Sequence, residues 1–385
     1  MKIALVHDYI KEYGGAERVL ETLHEIYPDA DIYTSVYLPE FLGPHKKRFE
    51  KMKIHTSFFQ YIPFNYKLLS PFRMISPLVF LLFNFSKYDT VIVSQTGAYF
   101  PNCIRKGGAK HICYTHTPPR YLYGYMTARN TPQNIIVRGL MLFVFHFLRM
   151  IDFASSKNVD VFIANSREVQ ARIEKFYRRD ASVIYPPVEI NSKSEILNSK
   201  KSQNIKYKIP NTEYYLAGGR LARAKGIDVI VDAFIQNGKP LKVFGRGFAG
   251  FEDELKAKVK KIKNVQFVGE VGDEEKLSLM KGARAYIFAS YDEDFGITPV
   301  EAMGQGTPVV AFKSGGVKET VVDPSASSGQ AGATGVFYNK NTPDALNQAI
   351  EKFEKAKISK DECVRQAKKF EKKTFMQLVQ KTVAG

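Results

Sequence analysis

Two carboxylates eight positions apart, Glu293 and Glu301, bracket a glycine turn and a proline in Glu293-Asp-Phe-Gly-Ile-Thr-Pro-Val-Glu301. Glycine frees the backbone at 296, and proline is favoured in the first turn of a helix. The pattern therefore predicts Glu293 in a loop and Glu301 in a helix's first turn. Amides at a helix start bind anions, and a carboxylate can accept two sugar hydroxyls. That combination suits a sugar attached to a phosphate. Arg220 and Lys225 follow the pair Gly218-Gly219. A guanidinium fork and a point charge together can offset the negative charge of a departing diphosphate. Asp292-Glu-Asp294 could also chelate a divalent cation. Arg220 and Lys225 already supply positive charge there, so no metal is expected.

Other candidates carry less by themselves. Gly14-Gly15 is a glycine turn ahead of Glu17 and Arg18. Gly245-Arg-Gly-Phe-Ala-Gly250 satisfies the G-x-G-x-x-G spacing, which alone is a weak sign. His116 precedes Pro118-Pro119, and an isolated histidine is commonly a structural hydrogen-bonding group.

Short apolar runs must position these residues. They fall at 3–6, 90–94, 111–114 and 161–164, then at 214–217, 241–244, 265–268, 285–289 and 309–312. Each is followed by a turn and a helical pattern, which predicts parallel sheets covered on both faces. The fold class is α/β, with two Rossmann-like doubly wound domains. The expected division is residues 1–190, a linker at 191–212 rich in Ser, Lys and Asn, a second domain at 213–365, and a C-terminal helix at 366–385 that packs back on the first domain. Ligands of such domains are expected in a cleft, at the carboxyl ends of the strands. Residues 323–335 are small and uncharged after Asp323 and read as an inserted surface loop.

The chain has 385 residues, 44% of them apolar, and three cysteines without metal spacing. The thiols Cys103, Cys113 and Cys363 read as core filler in a reducing cytoplasm. The net charge of +17 is shared almost evenly by the two halves, which favours phosphates and anionic surfaces over any one tail. No nucleic-acid-binding motif accompanies it. The first residues lack a signal-peptide pattern. Two very apolar stretches, 77–85 and 139–148, are shorter than the roughly 20 residues of a spanning helix and are expected to be core helices. The competing reading lays them on a cytoplasmic leaflet, aided by Arg73, Arg138 and Arg149.

The loop at 293–301 resembles the Glu-x7-Glu motif of retaining glycosyltransferases of family 4, which have the GT-B fold. Gly14-Gly-Ala-Glu-Arg18, His116-Thr-Pro-Pro-Arg120, Gly219-Arg-Leu-Ala-Arg-Ala-Lys-Gly226 and Gly315-Gly-Val-Lys-Glu319 match in the same order. The resemblance runs from about residue 1 to about 380 and looks closest to mannosyltransferase-like members. It implies that Arg220 and Lys225 hold the leaving diphosphate, and that Glu301 binds the ribose and Glu293 the donor sugar. The amides of Gly296, Ile297 and Thr298 would face sugar and diphosphate. Gly15 would face donor phosphate and acceptor, Gly245 the nucleotide and Val268 the base. His116 would meet a donor hydroxyl, with Arg120 and Tyr121 on the acceptor side and Asn165-Ser166 in a turn facing the ligand.

The implied activity is transfer of a hexose, with mannose from GDP-mannose preferred and UDP- or ADP-sugars open, to a glycan or polyprenyl-linked glycan. No cofactor beyond the donor is implied. An anionic membrane surface is an expected partner. A noncatalytic nucleotide-sugar-binding protein, or a hydrolase or epimerase of the same fold, is the alternative.

Overall fold

The computed structural model describes residues 1–127, 134–190, 214–248, 250–324 and 332–385. The linker at 191–212 and most of the 323–335 segment lie outside these residues. The chain forms two units. The first runs from Met1 into the residues before Val188 and regains Lys372–Gly385, while the second is built from Val188–Glu371.

In the first unit the strands are β1 (Ile3–His7), β2 (Asp31–Thr34), β3 (Ile54–Thr56), β4 (Thr90–Gln95), β5 (Lys110–Thr115), β6 (Val161–Ala164) and β7 (Ser182–Val183). They form one sheet in the order β3-β2-β1-β4-β5-β6-β7. All its pairings are parallel. The helices are α1 (Gly15–Ile26), α2 (Asn65–Phe72), α3 (Ser76–Leu81), α4 (Ile135–Ser156) and α5 (Arg167–Tyr177). Successive strand residues point to opposite faces. Ala4, Val6, Val91 and Val93 therefore join α5 in one apolar cluster, while Ile3, Leu5 and Ile92 join α1 in another.

The second unit carries β8 (Tyr214–Gly218), β9 (Leu241–Phe244), β10 (Val265–Gly269), β11 (Ala283–Phe288), β12 (Val309–Phe312) and β13 (Gly335–Tyr338). Their order is β10-β9-β8-β11-β12-β13, again parallel. Its helices are α6 (Ile227–Asn237), α7 (Phe251–Lys258), α8 (Asp273–Gly282), α9 (Ile297–Gly304), α10 (Val317–Thr320), α11 (Pro343–Lys355) and α12 (Lys360–Lys368). The last helix, α13 (Lys372–Ala384), belongs to the first unit. Phe375, Val379 and Val383 enter the α1-side cluster, and Lys372 pairs with Glu25 at 2.8 Å.

Three expectations change. Strands β2, β3 and β7 were not among the expected runs, because Asp31, His55 and Ser182 interrupt their apolar character. The stretch 77–85 holds only a short helix, α3, and 139–148 lies inside the much longer α4. Neither is a core helix. Leu78, Leu81, Leu140, Leu142, Phe143 and Phe147 are exposed, since only one side of each helix packs inward, Val79 and Phe80 of α3 in one apolar cluster and Leu148 of α4 in another.

Candidate active site

In the second sheet β8 is the first strand laid down. β9 and β10 add on one side and β11 on the other, so the order reverses between β8 and β11. Ligands of open parallel sheets bind outside the carboxyl ends at such a reversal. The loop after β8 carries Arg220 and Lys225, and the loop after β11 carries Glu293. The two loops meet: Lys225 Nζ lies 2.6 Å from Glu293 Oε2. Ser290 donates to the same carboxylate oxygen. Tyr291 N donates to Ala224 O at 2.9 Å, tying the loops along their backbones. Arg220 has an exposed side chain directly after Gly219.

Glycines make this convergence sterically feasible. Gly226, at φ +62, passes so close to Ala289 that a Cβ would stand 2.3 Å from its carbonyl oxygen. Gly245, at φ +130, would place a Cβ 1.8 Å from Gly219 O. The G-x-G-x-x-G pattern thus begins with a glycine needed for strand-end packing. Val268 and Gly269 end the neighbouring β10, and Gly269 O accepts from Gly245 N at 2.7 Å.

The acidic motif is seated on Gly315-Gly316, which lie against the backbone of Glu293, Asp294 and Phe295. Gly316 N donates to Glu293 O at 2.7 Å. Gly296, at φ +89, is the N-cap of α9, so Ile297 and Thr298 open that helix. The helix starts two residues before Pro299, because the left-handed glycine lets the chain turn directly into it. Glu301 consequently sits in the second turn and not the first.

Glu301 is 4% exposed and accepts from Lys276 Nζ of α8 at 2.9 Å. Lys276 was not among the candidates. A lone lysine in an Asp/Glu-led helix start looks like an ordinary exposed-face residue, and only the fold brings it to the carboxylate. Tyr286 was also missed. Its hydroxyl donates to Gly218 O at 2.7 Å and also bonds Thr298. Burial first, then hydrogen bonding and the charges of Glu301 and Glu293, alter its ionisation, with a net upward shift. Tyr286 links the β8 end to the α9 start.

In the first unit, the turn Gly14-Gly15 opens α1, and Gly14 N donates to Glu17 Oε2 at 2.9 Å. Gly15 is the first residue of the helix. Asp8 accepts from Thr96 Oγ1 at 2.6 Å and from the amides of Ala98 and Tyr99 at 3.1 and 3.0 Å, pinning the loop after β4. Tyr121 carries the Arg73 guanidinium over its ring and meets Phe145 edge-on, and Ser166 caps α5 by accepting from Val169 N at 3.1 Å.

His116 ends a buried chain of polar groups. Ser94 Oγ lies 3.0 Å from His116 Nε2 and 3.0 Å from His7 Nδ1, and His7 Nε2 lies 3.6 Å from Glu17 Oε1. At that distance Glu17 makes no hydrogen bond to the ring, but its charge favours the tautomer with the proton on His7 Nε2. His7 Nδ1 then accepts from Ser94, and Ser94 accepts from His116 Nε2–H. This direction leaves His116 Nδ1 as an acceptor for a ligand hydroxyl. Burial, then the charge of His7, lowers the His116 pKa to about 3, so the ring stays neutral at ordinary pH.

Ser94→Ala is accordingly expected to lower kcat by about tenfold with donor affinity little changed. Asn at position 116 can present an amide oxygen where Nδ1 stood, whereas Gln reaches the Nε2 position. His116→Asn should therefore retain more activity than His116→Gln. The reverse ranking would refute the direction of the chain. Because the folded pKa is depressed, the neutral ring contributes stability above about pH 6.5 that is lost as pH falls toward about 3. Thermal melts from neutral to acid pH should show a smaller loss in His116→Asn.

Residues 13–192 match the family described as Glycosyltransferase Family 4, and residues 199–370 match Glycosyl transferases group 1. The chain is 26% identical over 309 residues to the alpha-1,3/1,6-mannosyltransferase ALG2 of Dictyostelium discoideum, covering 71% of this chain and 69% of that protein. It is 26% identical to the ALG2 of Kluyveromyces lactis over 70% of this chain, but spans only 60% of that relative. A similar solved structure is HepE of Anabaena in complex with UDP and glucose, with TM-score 0.70, 21% identity and full coverage of both chains.

Proposed function

Because this chain belongs to glycosyltransferase family 4, with the GT-B fold, we propose that it moves a hexose from a nucleotide-diphosphate donor to an acceptor hydroxyl with the anomeric configuration kept. Mannose from GDP-mannose is the preferred donor, and a glycan or polyprenyl-linked glycan the acceptor. The observation that carries this reading is the Lys225–Glu293 pair at the reversal point of the second sheet. A cation for the diphosphate and a carboxylate for sugar hydroxyls stand on adjoining loops.

In this reading Lys225 and Arg220 offset the charge that grows on the leaving diphosphate. The α9 start at Ile297 and Thr298 offers amides to the same oxygens. Glu301 meets the ribose, with Lys276 holding its carboxylate in place. Gly245 and Val268 border the nucleotide. The departing phosphate takes the acceptor's proton, so no protein carboxylate needs to attack the sugar. The mannosyltransferase names of the relatives support mannose. The UDP complex of the Anabaena protein makes UDP-sugars the competing donors.

A panel of GDP-mannose, UDP-glucose, UDP-galactose and ADP-glucose tests the donor. GDP-mannose is expected to raise the melting temperature most, since a ligand selective for the folded state stabilises it. Labelled donor should be consumed only with acceptor present, and the linkage formed should be α. Donor hydrolysis or epimerisation without acceptor, or an inverted linkage, would overturn the assignment.

A further inference from the structure

Helix α4 is apolar on every side, yet only one side is covered. Leu148 packs with Phe100 and Leu122, and Val144 and Phe145 lie against the same cluster. Ile136, Leu140, Phe143, Phe147 and Met150 recur at spacings of three and four and so share the opposite face. All five are exposed, Ile136 at 78%, Leu140 at 64% and Phe143 at 63%. A helix apolar all round is normally buried. A second exposed set, Ile75, Leu78, Leu81 and Leu82, lies along α3 and its flanks. Beneath α4, on its covered side, the Tyr121 ring lies 4.4 Å from the Arg73 guanidinium and 5.4 Å from Phe145. The five exposed apolar residues along one face of α4 form a patch of the kind that marks an interaction surface.

Charge identifies what covers it. Residues 51–151 contain twelve Lys and Arg but one acidic residue, Asp89. The even division of charge between the chain's halves conceals this segregation, because the remainder of residues 1–190 has an acidic excess. Lys67, Lys87 and Arg138 are exposed beside the apolar sets. No described helix is long and apolar enough to cross a membrane. An apolar face flanked by the exposed cations Lys67, Lys87 and Arg138 fits the boundary between anionic headgroups and acyl chains.

We propose that this face of the first unit docks on an anionic phospholipid surface. Helix α4 lies in the headgroup plane, with Phe143 and Phe147 directed into the acyl boundary. The inference deepens the polyprenyl-linked acceptor reading by naming the surface that would meet the lipid. Docking itself requires no donor and no transfer, so its failure and that of the activity are separable.

Co-sedimentation of the whole chain with phosphatidylglycerol and phosphatidylcholine vesicles tests it. The protein is expected to bind phosphatidylglycerol vesicles at least tenfold better than phosphatidylcholine, with the preference lost in high salt. The double variant Leu140→Glu, Phe143→Glu should lower binding at least tenfold without changing the melting temperature or transfer to a soluble acceptor. Lys67→Glu with Arg138→Glu should weaken binding to phosphatidylglycerol alone. No binding to either vesicle would overturn the proposal, as would unchanged binding in the apolar double variant. A vesicle-independent dimer that the same variant dissociates would reassign the face to a second copy of the chain.

Discussion

Lys225→Ala is expected to lower the rate of glycosyl transfer by about 10²- to 10³-fold, equivalent to roughly 3–4 kcal/mol of transition-state stabilisation. The ammonium lies 2.6 Å from Glu293 Oε2 on a loop that leaves the sheet at its reversal point. It can therefore serve two charges, the fixed carboxylate and the developing one on the diphosphate. Stability should change little. The Lys225 side chain is 35% exposed, and solvent-screened pairs contribute about 0–1 kcal/mol.

A double-mutant cycle with Glu293→Gln separates the two services. If Lys225 only orients Glu293, the double variant should be no worse than the more damaging single one. If it also meets the diphosphate, Lys225→Ala should cost more than Glu293→Gln, and losses in the double variant should accumulate. Steady-state kinetics beside thermal melts give the answer. Near-normal turnover in a folded Lys225→Ala protein would remove the residue from the site.

The second large effect is expected at a residue with no side chain. A Cβ at Gly315 would stand 2.1 Å from Glu293 O and 2.6 Å from Glu293 N, with φ at +70. Both neighbours are backbone and cannot rotate away. Gly315→Ala thus meets two costs, the left-handed conformation at about 1–2 kcal/mol and displacement of the loop that carries Glu293. Shifting a positioning loop by about 1 Å costs on the order of 10²-fold in rate. The expected result is a loss of transfer of that size with a melting temperature lower by several degrees. Gly108→Ala is the control. Its Cβ would meet nothing within 4 Å and its φ is not in the left-handed region, so rate and stability should remain near the parent's. Equal behaviour of the two variants would show that the Gly315 contact does not hold the acidic loop.

Much of this was legible in the linear chain. Strands β6, β9 and β12 have the bounds of their expected runs, because a strand covered on both faces is dominated by apolar residues. The edge strands β3 and β7 escape that rule, and so does β2 beside β3: they include His55, Ser182 and Asp31, which read as loop. Glu293, Lys225 and the glycine turns were also visible, since their types and spacing reflect local backbone demands. Glu301 was found, but its turn of the helix was misplaced by the early start at Ile297.

Partners contributed from distant elements were invisible. Lys276 joins Glu301 across 25 residues, Ser94 joins His116 across 22, and His7 joins Ser94 across 87. Periodicity records which residues are apolar, and spacing records which turns are tight. Neither records which polar group on one strand end faces another. The apolar character of α4 was equally plain in the chain, yet apolarity alone cannot distinguish a covered face from an open one. The sequence by itself determined two parallel-sheet units and the acidic, basic and glycine residues of the loops after β8 and β11, because those depend on local pattern. Tertiary structure alone decided the Glu17–His7–Ser94–His116 alignment, the Lys276 clasp on Glu301 and the exposure of α4, because each depends on how separate elements pack.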